Sequence, residues 1–161
     1  MRKEIASEDL DGVDRTLLRL LQDDGTLSSS ALGERLSMTV TPCWRRRKRL
    51  EDLGYIKDYQ ANLDRRKLGF DVLAFAQVRF GDHSTSAPDE FERVILRLPE
   101  VLSCHKVSGE ADYVLTVLAA DLESYGHFVE DVLRRQPGIA SIQSSFALRE
   151  IKAITRIPVP E

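Results

Sequence analysis

The C-terminal two thirds of this 161-residue chain alternate between two hydropathy periods in a fixed order. Across residues 70–80, Val72, Ala74, Ala76 and Val78 recur at every second position. That is the period of a strand, whose successive side chains point to opposite faces. Across 88–98 the spacing turns helical: Phe91, Val94, Ile95 and Leu98 share a face, and Pro99 closes the segment. Strand spacing returns over 101–108 and 112–119, joined by a hairpin turn at Gly109-Glu110-Ala111. Asp121 then caps a second helix burying Tyr125, Phe128, Val129 and Leu133, broken at Gln136-Pro137-Gly138. Residues 139–154 hold the last strand, with Ile142, Ser144, Phe146 and Leu148 in alternation. The order β-α-β-β-α-β is that of the ferredoxin-like arrangement, an antiparallel sheet with two helices on one face. Leu73 and Phe75 make the other face apolar too, which calls for a second subunit packed sheet on sheet.

The N-terminal third carries helical spacing only, in three short pieces. Asp11 can cap the first, with Asp14 in its first turn facing the positive end of the helix dipole. Val13, Leu17, Leu20 and Leu21 form its apolar face, and Asp23-Asp24-Gly25 ends it, with Gly25 suited to a left-handed position. Ser28 caps the second helix, whose stripe is Ala31, Leu32 and Leu36. After the tight turn Leu36-Ser37-Met38, Thr39 caps a third helix that has Pro42 in its first turn and stops at Gly54. Two short helices around a tight turn make a helix-turn-helix, whose second helix enters the DNA major groove. The alternation in residues 55–61 predicts a short strand, the wing of a winged helix-turn-helix. The fold class is therefore α+β: residues 1–61 a DNA-binding domain, 62–69 a linker, and 70–161 a ferredoxin-like domain.

The third helix bears the run Arg45-Arg46-Arg47-Lys48-Arg49. Residues 1–66 hold 13 Lys and Arg against 12 Asp and Glu, a net of +1, while the remainder holds 10 against 14, a net of −4. A basic run inside a chain of net charge −3 is a local device, suited to phosphates. Thr39 and Thr41 at the helix start can reach phosphates or base edges, first-turn amides can bind a phosphate, and arginines can pair with guanine or clamp the backbone. The candidate DNA contacts are Ser28, Thr39, Thr41, Pro42, Trp44, Arg45, Arg46, Lys48 and Arg49. The plainer alternative is a solvated helix face, but five successive cations lie about 100° apart and cannot share one. Taken alone, Trp44 and Cys43 read first as packing residues.

Composition removes several classes. No apolar run approaches the roughly 18 residues of a membrane helix, and the first nine residues are too acidic for a signal peptide. Two cysteines without Cys-x-x-Cys spacing, and three scattered histidines, offer neither a disulfide scaffold nor a metal site, and suit a reducing cytoplasm. Paired carboxylates, a Cys-His pair and a nucleophile motif do not stand out, so an enzyme is not expected.

Several separate motifs together resemble the Lrp/AsnC ("feast/famine") bacterial transcription regulators. They are Leu10-Asp11, Thr-Pro-Cys-Trp-Arg-Arg opening the third helix, Arg49-Leu50-Glu51 with Gly54-Tyr55-Ile56, Val-Ser-Gly-Glu-Ala-Asp-Tyr at the central hairpin, and Glu150-Ile151-Lys152. The resemblance spans about residues 8–158. It implies a cytoplasmic, nucleoid-associated regulator that binds double-stranded DNA, forms a homodimer assembling into tetramers or octamers, and senses an amino acid without other cofactor. It places the effector pocket between subunits, near Val107, Ser108, Gly109, Glu110, Ala111, Asp112 and Tyr113, and near Gln143, Ser144 and Ser145. Backbone amides of the glycine turn suit the effector's carboxylate, and Asp112 or Glu110 its ammonium. A capped hairpin without ligand remains the alternative there. The family usually has an aliphatic residue where this chain has Arg47, which favours Arg45, Arg46 and Arg49 as DNA contacts, with Lys48 a backbone contact. A ligand-independent DNA-packaging protein is the competing function.

Overall fold

In the computed structural model, which describes residues 10–81, 86–153 and 156–160, the first helix begins with a reciprocal cap. The Asp11 carboxylate accepts from the Asp14 amide at 2.8 Å, and the Asp14 carboxylate accepts from the Asp11 amide at 3.3 Å. α1 (Gly12–Asp23) stops differently from the sequence expectation. Gly25 does not adopt a left-handed conformation. Asp24 turns extended, and its carboxylate accepts from the Thr26 amide and hydroxyl at 2.9 and 2.6 Å, a local turn that competes with helix continuation.

Ser28 caps α2 (Ser29–Arg35), accepting from the Ala31 amide at 3.1 Å. The turn to α3 (Val40–Asp52) needs two unusual residues. Ser37 has φ 53°, and Gly33 lies so close to the turn that a Cβ would meet the Met38 carbonyl oxygen at 2.7 Å. Thr39 occupies the cap position, but its hydroxyl makes no capping hydrogen bond. Leu17, Leu21, Leu27, Leu32, Cys43 and Leu50 bury one another between the three helices. Burying each large aliphatic contributes about 1.5–3 kcal/mol.

The predicted wing is not formed: residues 55–61 contain no strand. The Tyr55 and Ile56 amides both donate to the Leu50 carbonyl, extending the helix-end turn that Gly54 opens at φ 76°. Ile56 then packs on the core. Among the described residues no second strand lies beside this segment, and alternation alone does not make a strand.

The described tail, residues 156–160, lies along α1. Gln22 exchanges two hydrogen bonds with the Ile157 backbone at 2.8 and 3.0 Å, Arg19 donates to the Val159 and Pro160 carbonyls, and Arg156 pairs with Asp23 at 2.6 Å. The chain accordingly divides into one unit of Met1–Asn62 with Ala153–Glu161 and another of Leu63–Lys152. The sequence boundaries had assigned the tail to the second domain.

The second unit contains β1 (Val72–Phe80), α4 (Ala87–Ile95), β2 (Val101–Lys106), β3 (Tyr113–Ala119), α5 (Leu122–His127) and β4 (Ile139–Phe146). A π-helical turn, Phe128–Leu133, extends α5. The strands pair antiparallel in the order β2-β3-β1-β4, giving the ferredoxin-like sheet. Ala74, Ala76, Val78 and Phe80 pack with Tyr113, Leu115 and Val117 beneath the helices, closed by edge-on contacts of Phe80 with Phe91 and Tyr113. Gly138, at φ 78°, lets the chain enter β4 against Phe80 and Ala87. Leu148, expected within the last strand, lies beyond its end and is 98% exposed, and Ile154 falls outside the described residues.

Candidate nucleic-acid interface and ligand-binding region

Helical geometry sorts the basic run. Cys43 and Leu50 face inward and are fully buried, so the α3 positions on the far side, Thr41, Trp44, Arg45 and Lys48, face solvent. Trp44 is 54% exposed, which overturns the packing reading and leaves an aromatic surface beside the cations. Ser28, Thr39 and Pro42 are exposed as well. Cys43 is a packing residue, as expected, and burial pushes its thiol upward.

Arg46 and Arg49, favoured from sequence as DNA contacts, both pair with α1, although Arg49 keeps 43% of its side chain exposed. Arg46 donates to Asp14 at 2.9 Å and to Asp11 at 2.5 Å, and Arg49 pairs with the other Asp14 oxygen. The Asp14 side chain is wholly buried, and these two guanidiniums compensate its charge. The Asp14 amide, and then Arg46, hold the Asp11 carboxyl below the usual carboxylate range. Hydrogen bonds to Asp14 and Asp11 raise the Arg46 guanidinium above its ordinary value. Sequence reasoning missed Asp14 as a partner, although a signal existed: Asp14, Leu17 and Leu21 follow one helical stripe, so the carboxylate sits in an apolar row.

Arg47 is engaged within the domain. Its Nε donates to Glu51 at 3.1 Å and to the Tyr59 hydroxyl at 3.0 Å, its Nη1 donates to the Leu27 carbonyl at 3.1 Å, and its guanidinium lies 4.6 Å from the Tyr59 ring centre. It fills the aliphatic position by stretching along the surface and tying three segments together. Lys48 reaches Asp52 one turn on at 3.0 Å, an exposed pair of little strength.

In the second unit, Val107, Ser108, Gly109 and Glu110 form the exposed tip of the β2–β3 hairpin, with Gly109 at φ 126° and the Val107 amide donating to the Asp112 carbonyl. Asp112 is already occupied: its carboxylate accepts from the Phe80 amide at 2.7 Å. Ala111 is half-buried beside it. The Tyr113 ring is buried on the helix side, its hydroxyl donating to Glu92 at 2.5 Å, and burial with that carboxylate raises its pKa strongly. The β4 trio divides by alternation. Ser144, opposite Ala76, faces the helices and hydrogen-bonds Tyr125 at 2.6 Å, whereas Gln143 and Ser145, opposite Gln77 and Phe75, face the open side. The hairpin's second strand, β3, is separated from β4 by β1, with Val78 opposite Tyr113 on one side and Ile142 on the other. Among the described residues, no His, Cys, Asp or Glu cluster offers a metal site, and no helix is long and apolar enough to cross a membrane.

Comparison with known proteins matches this division of labour. Residues 10–57 fit the winged helix-turn-helix DNA-binding family, and residues 73–157 fit the Lrp/AsnC ligand binding domain. The DNA-binding transcriptional activator DecR of Escherichia coli (strain K12) is 41% identical over 150 residues, 93% of this chain and 99% of that protein. The leucine-responsive regulatory protein of Salmonella typhimurium (strain LT2) is 31% identical over 157 residues, 98% of this chain and 96% of that protein. A transcriptional regulator from Neisseria meningitidis, solved in complex with L-Met, superposes with a TM-score of 0.89 at 38% identity, covering 92% of this chain and 96% of that one. An AsnC family regulator from Agrobacterium tumefaciens superposes with a TM-score of 0.87 at 34% identity, covering 92% and 97%. The chain belongs to the Lrp/AsnC family of DNA-binding transcriptional regulators.

Proposed function

We propose that this regulator reads DNA with the solvent face of α3, using Thr41, Trp44, Arg45 and Lys48, and that a small amino acid bound by the second unit modulates that binding. The supporting observation is the single polar and aromatic face that α3 leaves uncovered in a matched helix-turn-helix. Ser28 and Thr39, exposed at the starts of α2 and α3, and Pro42 complete the contact set. The effector lies against the hairpin tip, with Ser108 and Gly109 amides for its carboxylate and Glu110 for its ammonium. Gln143 and Ser145 contribute from the open face of another subunit. Asp112, Tyr113 and Ser144 hold the framework rather than the ligand, because their polar atoms already have partners.

The open sheet face, with Leu73, Phe75 and Leu118, packs against a second copy in a homodimer, and dimers assemble further into tetramers or octamers. Pairing brings two α3 helices to successive half-sites on the nucleoid in the cytoplasm. Gel shifts on a duplex enriched by the protein from a random pool test the DNA face: Arg45→Ala weakens binding about tenfold, corresponding to about 1.4 kcal/mol. Unchanged affinity refutes the assignment, and a footprint without half-site periodicity supports the packaging alternative. A thermal-shift screen over the twenty amino acids tests the effector, since a bound ligand raises apparent stability by mass action.

A further inference from the structure

We infer that Asp14 is a positioning and specificity residue: from the buried side of α1 it neutralises Arg46 and Arg49, whose side chains stay 30% and 43% exposed, and so restrains them from DNA phosphates, leaving Arg45 and Lys48 as cations of the run that α1 does not hold. This rests on the DNA-binding role of α3.

Both Asp14 carboxylate oxygens are engaged, one by Arg46 at 2.9 Å and the other by Arg49, while Asp11 holds the same Arg46 nitrogen at 2.5 Å. Two carboxylates therefore face two guanidiniums, and their charges cancel. Only Asp14 is fully buried; Asp11 is half exposed at its side chain. The clamp also fixes the rotation of α3, because residues 46 and 49 are one turn apart and are drawn to one point on α1. Thr41, Trp44, Arg45 and Lys48 are thereby turned outward.

The consequence is discrimination. Non-specific binding is driven by phosphate neutralisation, and each neutralised phosphate adds about 0.9 to the slope of log K against log salt. Five unrestrained cations would strengthen binding to any duplex. Neutralising two within the domain lowers that background without touching groups that read base edges, raising the ratio of specific to non-specific affinity.

The test uses the full-length protein, a duplex it enriches from a random pool, and an unrelated duplex of equal length. Asp14→Asn keeps the shape and the acceptor for the Asp11 amide but removes the charge. Asp11→Asn, at an exposed site, relaxes the clamp even where Asp14→Asn impairs folding. The expected result is a slope steeper by about one for each cation released, a several-fold gain in affinity for the unrelated duplex, and a smaller ratio between the duplexes. A purely structural role would weaken both duplexes in parallel with unchanged slope. That outcome for Asp11→Asn, or for folded Asp14→Asn, overturns the inference. Failure of the wild-type protein to bind either duplex overturns the DNA-binding reading itself.

Discussion

Single residues here act through what they leave no room for. Gly33 has no exceptional torsion, yet a methyl group there would stand 2.7 Å from a backbone oxygen of the α2–α3 turn. Gly33→Ala should destabilise the first unit by about 1–3 kcal/mol, read from urea melts of the full chain. Asp14→Ala removes the shared partner of two part-exposed guanidiniums and the acceptor of the Asp11 amide, and should cost about 1–3 kcal/mol on the same melts. Asp11 sets a pH dependence. Its carboxyl is held below the ordinary range when folded, so it binds protons more readily unfolded. Its contribution is complete above the unfolded value, near pH 4, and is lost as pH falls through the lower folded value. Asp11→Asn should flatten the acid limb below about pH 4 by lowering stability at neutral pH, where the ionised carboxylate acts, and leave the stability at the acid end little changed.

At the scale of elements, several caps were legible, though not the ends assigned to Thr39 and Gly25, and partners were not. Asp11, Ser28 and Gly54 mark helix ends through local backbone chemistry, and the structure uses all three. Residues 55–61 carry the alternation of a strand, but no strand lies beside them among the described residues, so none forms there. Gly33 was silent because its constraint comes from the turn folding back, not from its neighbours in sequence. The ion pairs of Arg46 and Arg49 were not legible because charge was counted along α3 alone, while their carboxylate partner lies on α1. The split of Gln143, Ser144 and Ser145 follows from strand period and was readable in principle. The π-helical turn after α5 has no signal we can name in the sequence. α3 itself makes a prediction: Lys48→Ala should lower affinity for all duplexes alike and reduce the salt slope by about one, whereas Arg45→Ala should also relax base preference.

For the whole molecule, the sheet and the tail set the terms. The ferredoxin-like core was legible because its order of periods admits few topologies, whereas the tail's docking was not. Arg19, Gln22 and Asp23 are ordinary exposed polar residues until residues 156–160 lie against them. The open sheet face predicts its own test: Phe75→Lys should shift sedimentation from dimer or larger species toward monomer and weaken DNA binding through lost avidity. The central claim is that α3 binds DNA under the control of an amino acid. Its most direct test is the affinity of the full-length protein for its enriched duplex at fixed salt, titrated with each of the twenty amino acids. One or a few amino acids should change that affinity by about 5–150-fold, the usual range of coupling between two sites. Affinity indifferent to all twenty would contradict it.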